Sequence, residues 1–194
     1  MNRTPIVLAL EPVLDALEAM GISFHLTGSV ASSAYGIARA TVDVDIVADL
    51  REQHVREIVR RLQGEYYIDE ERVLDAVQRR SSFNAIHLST MLKVDVFVLK
   101  GRAYDQVAFG RARKDTIAES EGARQYPLAS PEDLILNKLE WYRQGGEVSE
   151  RQWDDVIGIL KVQRQALDFN YMLRWAGELG LTPLFQRAVR ESGL

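Results

Sequence analysis

The sequence predicts an α+β protein in which a region of alternating strands and helices is followed by an all-helical region. Short runs of alternating or β-branched apolar residues recur up to about residue 127, and helical spacing with capping signals dominates afterwards. We therefore predict an α/β region over residues 1–127 and a helical region over residues 128–194. We expect the two regions to share one cleft.

The elements of the α/β region follow from hydrophobic periodicity. The predicted helices cover residues 6–20, 30–36, 51–62 and 69–80, and the predicted strands cover residues 23–27, 42–48, 83–89 and 92–99. Because the last two strands are separated by only a few residues, they should form an antiparallel hairpin. Residues 109–117 are a candidate edge strand.

Capping signals define the helical region. Ser130 and Asp133 frame the start of SPEDLILNKLEWYRQ, and Ser149 repeats the pattern ahead of a second helix. The segments LDFNYMLRWAGELG and TPLFQRAVRE supply two more helices, the last with Thr182 as its predicted cap. The helical region should therefore hold four helices.

The charge balance argues against a protein built mainly to coat nucleic acid. The 194 residues include 24 basic and 28 acidic side chains, a net charge of −4, whereas nucleic-acid-binding proteins are usually basic. A local basic cleft is still compatible with five arginines of the predicted helices, which are Arg56, Arg60, Arg61, Arg79 and Arg80.

Cysteine is absent, which excludes disulfides, zinc–thiolate sites, iron–sulfur ligation and thiol nucleophiles. The N-terminus has no signal-peptide pattern, and the sequence has no uninterrupted run of about 18 apolar residues. We therefore expect no membrane span and a cytoplasmic location.

The stretch TVDVDIV, residues 41–47, places two aspartates in a predicted strand. Side chains alternate along a strand, so Asp43 and Asp45 share one face while Val44 and Ile46 share the other. Two adjacent carboxylates repel each other, and a divalent cation such as Mg²⁺ relieves that repulsion. A solvated strand edge with an acidic face is the alternative interpretation.

Neighbouring motifs favour the metal-site interpretation. Gly28 and Ser29 join a strand to a helix, where backbone N–H groups and a hydroxyl can bind an anion. Asp95, in KVDVFV, supplies a third carboxylate on another apolar strand. Three such carboxylates are what a two-metal site for phosphate transfer needs.

Together these residues resemble a known superfamily. Gly28-Ser29, followed after thirteen residues by Asp43-x-Asp45 and later by a single Asp95 in an apolar strand, resembles the nucleotidyltransferases related to DNA polymerase beta.

The longer string LTGSVASSAYGIARATVDVDIV, with Arg39 and Thr41 before the aspartates, is similar to the small bacterial branch that contains the AbiEii-type toxins of toxin–antitoxin systems. SPEDLILNKLEWYRQ followed by RQWDDVIGIL is similar to that branch's helical stretch, in which a lysine meets the triphosphate. The chain is shorter than many such toxins, and its spacing leaves the roles of Arg151, Asp154 and Asp155 open.

The resemblance implies a small mixed β-sheet with packed helices and a C-terminal helical bundle that closes the cleft. It also implies Mg²⁺-dependent transfer of a nucleoside monophosphate from an NTP to a hydroxyl group, with release of pyrophosphate. Asp43 and Asp45 would bind Mg²⁺, and Asp95 would hold a second metal ion and help to deprotonate the acceptor.

The resemblance also implies a set of nucleotide-binding residues. Gly28 and Ser29 would hold the β- and γ-phosphates, while Arg39 and Lys138 would neutralise charge that builds on the leaving pyrophosphate. The acceptor is left open between a tRNA 3′ end, a protein hydroxyl and a small molecule such as an aminoglycoside, and the net acidity disfavours RNA. A toxin role would add an antitoxin protein as a partner.

Two other functions compete with this one. A member of the same fold could bind nucleotide or a partner protein without catalysis. An α/β-hydrolase-like enzyme is poorly supported, because the sequence contains no nucleophile elbow.

The histidines and tryptophans have structural interpretations. The three histidines show no metal-ligand spacing and are predicted to be structural: His25, His54 and His87. The three tryptophans lie among apolar residues at helical spacing, which is typical of core positions rather than of a base-stacking surface: Trp141, Trp153 and Trp175.

Overall fold

The computed structural model describes residues 4–37, 43–117 and 124–194. The chain divides into two compact units, one comprising Met1–Thr27 with Ala40–Gly110 and the other Gly28–Arg39 with Arg111–Leu194. None of the helices in the described ranges is long and apolar enough to cross a membrane.

The helices and strands are numbered along the whole chain. The helices are α1 (Pro5–Ala19), α2 (Gly28–Tyr35), α3 (Glu52–Leu62), α4 (Glu70–Arg79), α5 (Ala103–Gly110), α6 (Pro131–Gln144), α7 (Glu150–Gln163), α8 (Phe169–Glu178) and α9 (Thr182–Ser192). The strands are β1 (Phe24–Thr27), β2 (Asp43–Ala48), β3 (Tyr66–Tyr67), β4 (Ser82–His87), β5 (Lys93–Val98), β6 (Arg113–Thr116) and β7 (Gln125–Leu128).

The first unit contains a mixed sheet with the strand order β3-β4-β5-β2-β1. β2 and β5 are parallel, whereas the pairs β3–β4, β4–β5 and β1–β2 are antiparallel. The predicted β4–β5 hairpin is therefore confirmed. The combination of this mixed sheet with packed helices also confirms the predicted α+β class.

Alternating side chains give β2 and β5 one core face. Val44 and Ile46 are fully buried, as is Val94 on β5, while the aspartates between them are half-buried. The aspartates therefore lie on the face opposite the buried valines. Helix α1 packs against β5 and α3, and the Tyr66 hydroxyl donates a hydrogen bond to the Ala9 carbonyl 2.7 Å away.

In the second unit, α2 packs against α6 and α7, and α8 and α9 complete the helical layer. The predicted caps at Ser130 and Ser149 are confirmed, because their hydroxyls accept hydrogen bonds from the backbone N–H groups of Asp133 and Gln152. The predicted cap at Thr182 is wrong by one residue. The carbonyl of buried Leu181 accepts the first hydrogen bond of α9, from the N–H of Phe185.

The structure also contains elements that periodicity did not predict. Helix α5 precedes β6, so the predicted strand over residues 109–117 begins only at Arg113. Strand β7 pairs antiparallel with β6 and contains Pro127, the last residue of the predicted α/β region. Proline is depleted from strands, and this obscured the alternation that buries Tyr126 and Leu128.

Candidate functional site

The parallel register of β2 and β5 aligns the three predicted metal-binding positions. Asp45 lies opposite Asp95, and Asp43 lies opposite Lys93. Neighbouring strands are about 4.8 Å apart, and residues two apart on a strand share a face. Asp43, Asp45 and Asp95 therefore occupy one face of two adjacent strands.

Lys93 is the counterion of this acidic face. Its Nζ lies 2.7 Å from the Asp95 Oδ2, and 18% of the Asp95 side chain is exposed. The hydrogen bond to Asp95 raises the pKa of Lys93 above its ordinary value, and the charges of Asp95, Asp43 and Asp45 act in the same direction. The sequence analysis missed this role of Lys93, which the K-x-D spacing within one strand could have indicated.

The donor chemistry of this face fits Mg²⁺, which prefers carboxylate oxygens. Within the described ranges, however, no three His, Asp or Glu side chains are grouped closely enough to hold a metal ion as they stand. The ammonium of Lys93 occupies one oxygen of Asp95, so a cation would have to replace it there. The assignment of Asp43, Asp45 and Asp95 as metal ligands stays a prediction.

Gly28 and Ser29 open helix α2 in the second unit. Gly28 has φ of +62°, a left-handed conformation that glycine adopts without the steric cost of a Cβ atom. The Ser32 hydroxyl donates to the Gly28 carbonyl at 2.7 Å, and the Ser33 hydroxyl donates to the Ser29 carbonyl at 3.0 Å. These two hydrogen bonds stabilise the first turn of the helix. The start of a helix presents backbone N–H groups that suit a phosphate.

Lys138 lies within the second unit, in a buried ion pair. Its Nζ is 2.7 Å from the Asp155 Oδ2 and donates to the Gln152 Oε1 at 3.2 Å, and both charged side chains are only 7% exposed. Asp155, whose role the sequence left open, is thus a partner of Lys138. The predicted phosphate contact of Lys138 stays a prediction.

Arg39 was predicted to bind nucleotide, with Thr41 in the same motif. Both residues lie outside the described ranges.

A buried polar network at the start of α6 was not predicted. Asp133 is 1% exposed, and its carboxylate accepts hydrogen bonds from the hydroxyls of Ser130 and Tyr171, both at 2.6 Å, and from Arg111 Nε at 3.2 Å. Burial raises the pKa of Asp133, against the opposing effect of these donors. The Arg111 guanidinium also lies 3.8 Å from the centre of the Tyr171 ring. This network links α6, α8 and the segment before β6.

The structural interpretation of the histidines agrees with their surroundings. His25 is buried against Phe109, its Nδ1 has no hydrogen-bond partner among the described residues, and burial lowers its pKa to about 4. His54 Nδ1 accepts a hydrogen bond from the Arg51 backbone at the start of α3, and His87 Nδ1 lies 2.8 Å from the Thr90 hydroxyl.

The tryptophans divide into two groups. Trp153 and Trp175 are buried as predicted, but 52% of Trp141 is exposed, so its predicted core position is wrong. The core face of α6 passes through Leu139 and Tyr142, and Tyr142 packs against Trp153.

Comparisons with known proteins identify the fold. No protein-family model and no curated protein matches the sequence. Several solved structures match over most of both chains. The antibiotic-resistance factor ANT(2'')-Ia in solution matches with 16% identity over 93% of this chain and 95% of that chain, and with a TM-score of 0.53.

Two further structures extend this result. ANT(2'')-Ia in complex with adenylyl-2''-tobramycin has 13% identity, covers 91% of this chain and 97% of that chain, and gives a TM-score of 0.57. An antigenic nucleotidyltransferase-like protein from Paracoccidioides brasiliensis has 15% identity, coverages of 94% and 92%, and a TM-score of 0.51. At these identities the likeness establishes architecture, and it shows that this chain has the nucleotidyltransferase fold.

Proposed function

We propose that this protein is a nucleotidyltransferase that moves a nucleoside monophosphate from an NTP to a hydroxyl acceptor and releases pyrophosphate. The observation that carries the proposal is the alignment of Asp43, Asp45 and Asp95 on one face of two neighbouring parallel strands. The fold shared with ANT(2'')-Ia and the nucleotidyltransferase-like protein supports it.

Asp43, Asp45 and Asp95 would hold Mg²⁺. When bound, Mg²⁺ supplies charge neutralisation for the phosphates and a lowered pKa for a hydroxyl nucleophile. The ion pair of Lys93 with Asp95 offsets part of the carboxylate charge. Because the lysine side chain is long and flexible, it can move away from Asp95 without a shift of the strand. Asp95 is also the candidate proton acceptor for the incoming hydroxyl.

The phosphate contacts would come from the start of α2 and from two cations. The backbone N–H groups near Gly28 and the Ser29 hydroxyl would bind the β- and γ-phosphates. Arg39 and Lys138 would stabilise the charge that develops on pyrophosphate. The Lys138 ammonium would then share its donors between Asp155 and phosphate, or exchange the first contact for the second.

A small polyhydroxylated molecule is our preferred acceptor. ANT(2'')-Ia has been solved with adenylyl-2''-tobramycin, a nucleotidylated small molecule. The net charge of −4 disfavours an RNA acceptor over a small molecule or a protein. A toxin role with an antitoxin partner is a further proposal that rests on the AbiEii-like residues alone.

One observation favours a second candidate function. Because the Lys93 ammonium sits on Asp95, the chain could bind nucleotide or a partner protein without turnover. This candidate predicts that calorimetry detects NTP binding while pyrophosphate never appears.

The test uses α-labelled NTPs with Mg²⁺ and a cell extract separated into RNA, protein and small-molecule fractions. We expect label in one fraction with the natural protein and none with Asp43→Ala. If the natural protein and this variant behave identically with all four NTPs, the transferase proposal is wrong. Label in the RNA or protein fraction would correct the acceptor and leave the reaction class intact.

A further inference from the structure

A polar cavity lies in the first unit, away from the acidic face. Its volume is about 410 Å³, and it is lined by Asp49, Leu50, Arg51, Arg80, Leu99 and Gln106. Asp49 and Leu50 directly follow β2, and Leu99 directly follows β5. The cavity therefore lies at the carboxyl ends of the two parallel strands of this unit.

This cavity is separate from the predicted metal ligands of the same unit. Asp43 is the first residue of β2 and Ala48 the last, and five residues of strand span about 16 Å. A volume of this size suits a small molecule. None of the predicted site residues lines the cavity.

The lining carries an excess positive charge. Two guanidinium groups face one carboxylate, and the Arg51 Nη2 lies 3.1 Å from the Asp49 Oδ2. The Arg80 side chain has no ion-pair or hydrogen-bond partner anywhere in the described ranges. The charge of Arg80 is thus available to an anion that enters the cavity.

The backbone holds Arg80 at this position. Arg80 is the C-cap of α4 and adopts the left-handed conformation, with φ of 49° and ψ of 46°, which is uncommon for a residue other than glycine. Its guanidinium lies against Gly101, where a Cβ atom would come within 2.8 Å of the Arg80 Nη1. The absence of a side chain at Gly101 makes room for the guanidinium.

The remaining lining groups suit an anion that accepts several hydrogen bonds. Each guanidinium has five N–H donors in a planar fork that matches the oxygens of phosphate. Arg51 is also the residue before α3, so the positive end of that helix dipole lies beside the cavity. Gln106 is fixed at the rim, because its Nε2 donates to the Lys100 carbonyl at 2.8 Å.

We propose that this cavity binds the phosphate group of a small phosphorylated molecule, with Arg80 as the main contact and Arg51 as the second. Two sources share this chemistry, inorganic phosphate and a phosphomonoester. The site is distinct from the proposed NTP site and does not depend on the transferase reaction.

The test measures binding of inorganic phosphate, glucose 6-phosphate and glucose to the full chain by calorimetry at millimolar ligand. We expect phosphate or glucose 6-phosphate to bind saturably and glucose not to bind. Tighter binding of glucose 6-phosphate than of phosphate would identify a phosphomonoester as the ligand, and the reverse would identify the free ion. Arg80→Ala should weaken binding at least about 10-fold, since a charge-assisted hydrogen bond is being removed.

Three further variants separate this site from general charge effects. Gly101→Ala keeps every charge but displaces the Arg80 guanidinium, so it should also weaken binding. Arg72 is an exposed arginine of α4 that does not line the cavity. Arg72→Ala should therefore bind phosphate as tightly as the natural protein does. Ser29→Ala alters the proposed phosphate-binding turn of the NTP site and should also leave binding unchanged.

The proposal is overturned if no phosphate compound binds, or if Arg80→Ala binds as tightly as Arg72→Ala. Loss of binding in Ser29→Ala would equally overturn it, because the phosphate would then occupy the proposed NTP site. Thermal unfolding of each variant checks that a loss of binding is not a loss of fold.

Discussion

The ammonium of Lys93 lies 2.7 Å from the carboxylate of Asp95, two residues along the same face of β5. This contact gives the acidic face an internal cation. It also places Lys93 in competition with any metal ion that binds Asp95.

Replacing Lys93 should therefore change both stability and the response to Mg²⁺. Because the folded state raises the pKa of Lys93, its contribution to stability is present at neutral pH and is lost only as the pH rises through that raised pKa. Lys93→Met should lower the free energy of unfolding by less than about 1 kcal/mol, since Lys93 is 41% exposed and its ion pair is screened by solvent.

Mg²⁺ should stabilise Lys93→Met more than it stabilises the natural protein, because the variant lacks the competing ammonium. The measurement is the melting temperature with and without Mg²⁺, and Lys100→Met is the control for loss of a lysine charge near the same strand. Equal Mg²⁺ shifts in all three proteins would contradict the proposed competition.

Removing any one of the three aligned carboxylates should abolish most of the transfer. Asp43→Ala, Asp45→Ala and Asp95→Ala should each lower pyrophosphate release at least about 100-fold, since each removes a group that stabilises charge in the transition state. Asp75→Ala removes an exposed carboxylate of α4 and should keep full activity. Activity within about 3-fold of the natural protein in all three variants would remove these residues from the reaction.

The Lys138–Asp155 pair should be structural as well as functional. Lys138→Met leaves the Asp155 carboxylate without this buried cation and should cost about 3–5 kcal/mol of unfolding free energy by urea titration. The exposed pair of Arg79 and Asp75 is the comparison, and Arg79→Met should cost less than about 1 kcal/mol.

The double variant Lys138→Met/Asp155→Leu separates the two roles of Lys138. Removing both charges should restore much of the lost stability, because the buried Asp155 charge that Lys138 compensates is then removed with it. If Lys138 also contacts phosphate, pyrophosphate release stays low in the double variant. Recovery of both stability and activity would show that Lys138 acts only by holding α6 to α7.

Buried His25 should make the protein sensitive to mild acid. Burial lowers the pKa of His25 from 6.5 to about 4. As the pH falls below 6.5, the histidine therefore binds a proton in the unfolded chain but stays neutral in the folded chain. The resulting loss of stability at pH 5 relative to pH 8 is about 2 kcal/mol. The measurement is a urea titration at pH 5 and at pH 8. The free energy of unfolding of His25→Phe should fall by about 2 kcal/mol less than that of the natural protein. An equal loss in both proteins would assign the acid sensitivity to other groups.

The local features of the chain could be predicted from the sequence, and the pairings between distant residues could not. Alternation in TVDVDIV and KVDVFV revealed two strands and put their aspartates on one face, and the caps at Ser130 and Ser149 followed from spacing. The parallel register that sets Asp45 opposite Asp95 depends on how the whole sheet is assembled. The hydrophobic periodicity of the sequence does not determine that register.

The same limit explains the residues that were missed. Lys138 and Asp155 meet only because α6 packs against α7, and a lysine on a partly apolar face is equally compatible with exposure. Helix α5 is short and weakly patterned, and Pro127 concealed β7. Trp141 was misplaced because helical spacing identifies a stripe but not which neighbour covers it.

The parallel pairing of β2 with β5 has a consequence for the order of folding. Asp45 and Asp95 are 50 positions apart, so pairing their strands closes a much longer loop, at a higher entropic cost, than forming the local β4–β5 hairpin. We therefore expect the like charges of the acidic face to meet late, when the apolar core already compensates for their repulsion. Neutralising Asp45 should then slow unfolding while leaving the refolding rate nearly unchanged.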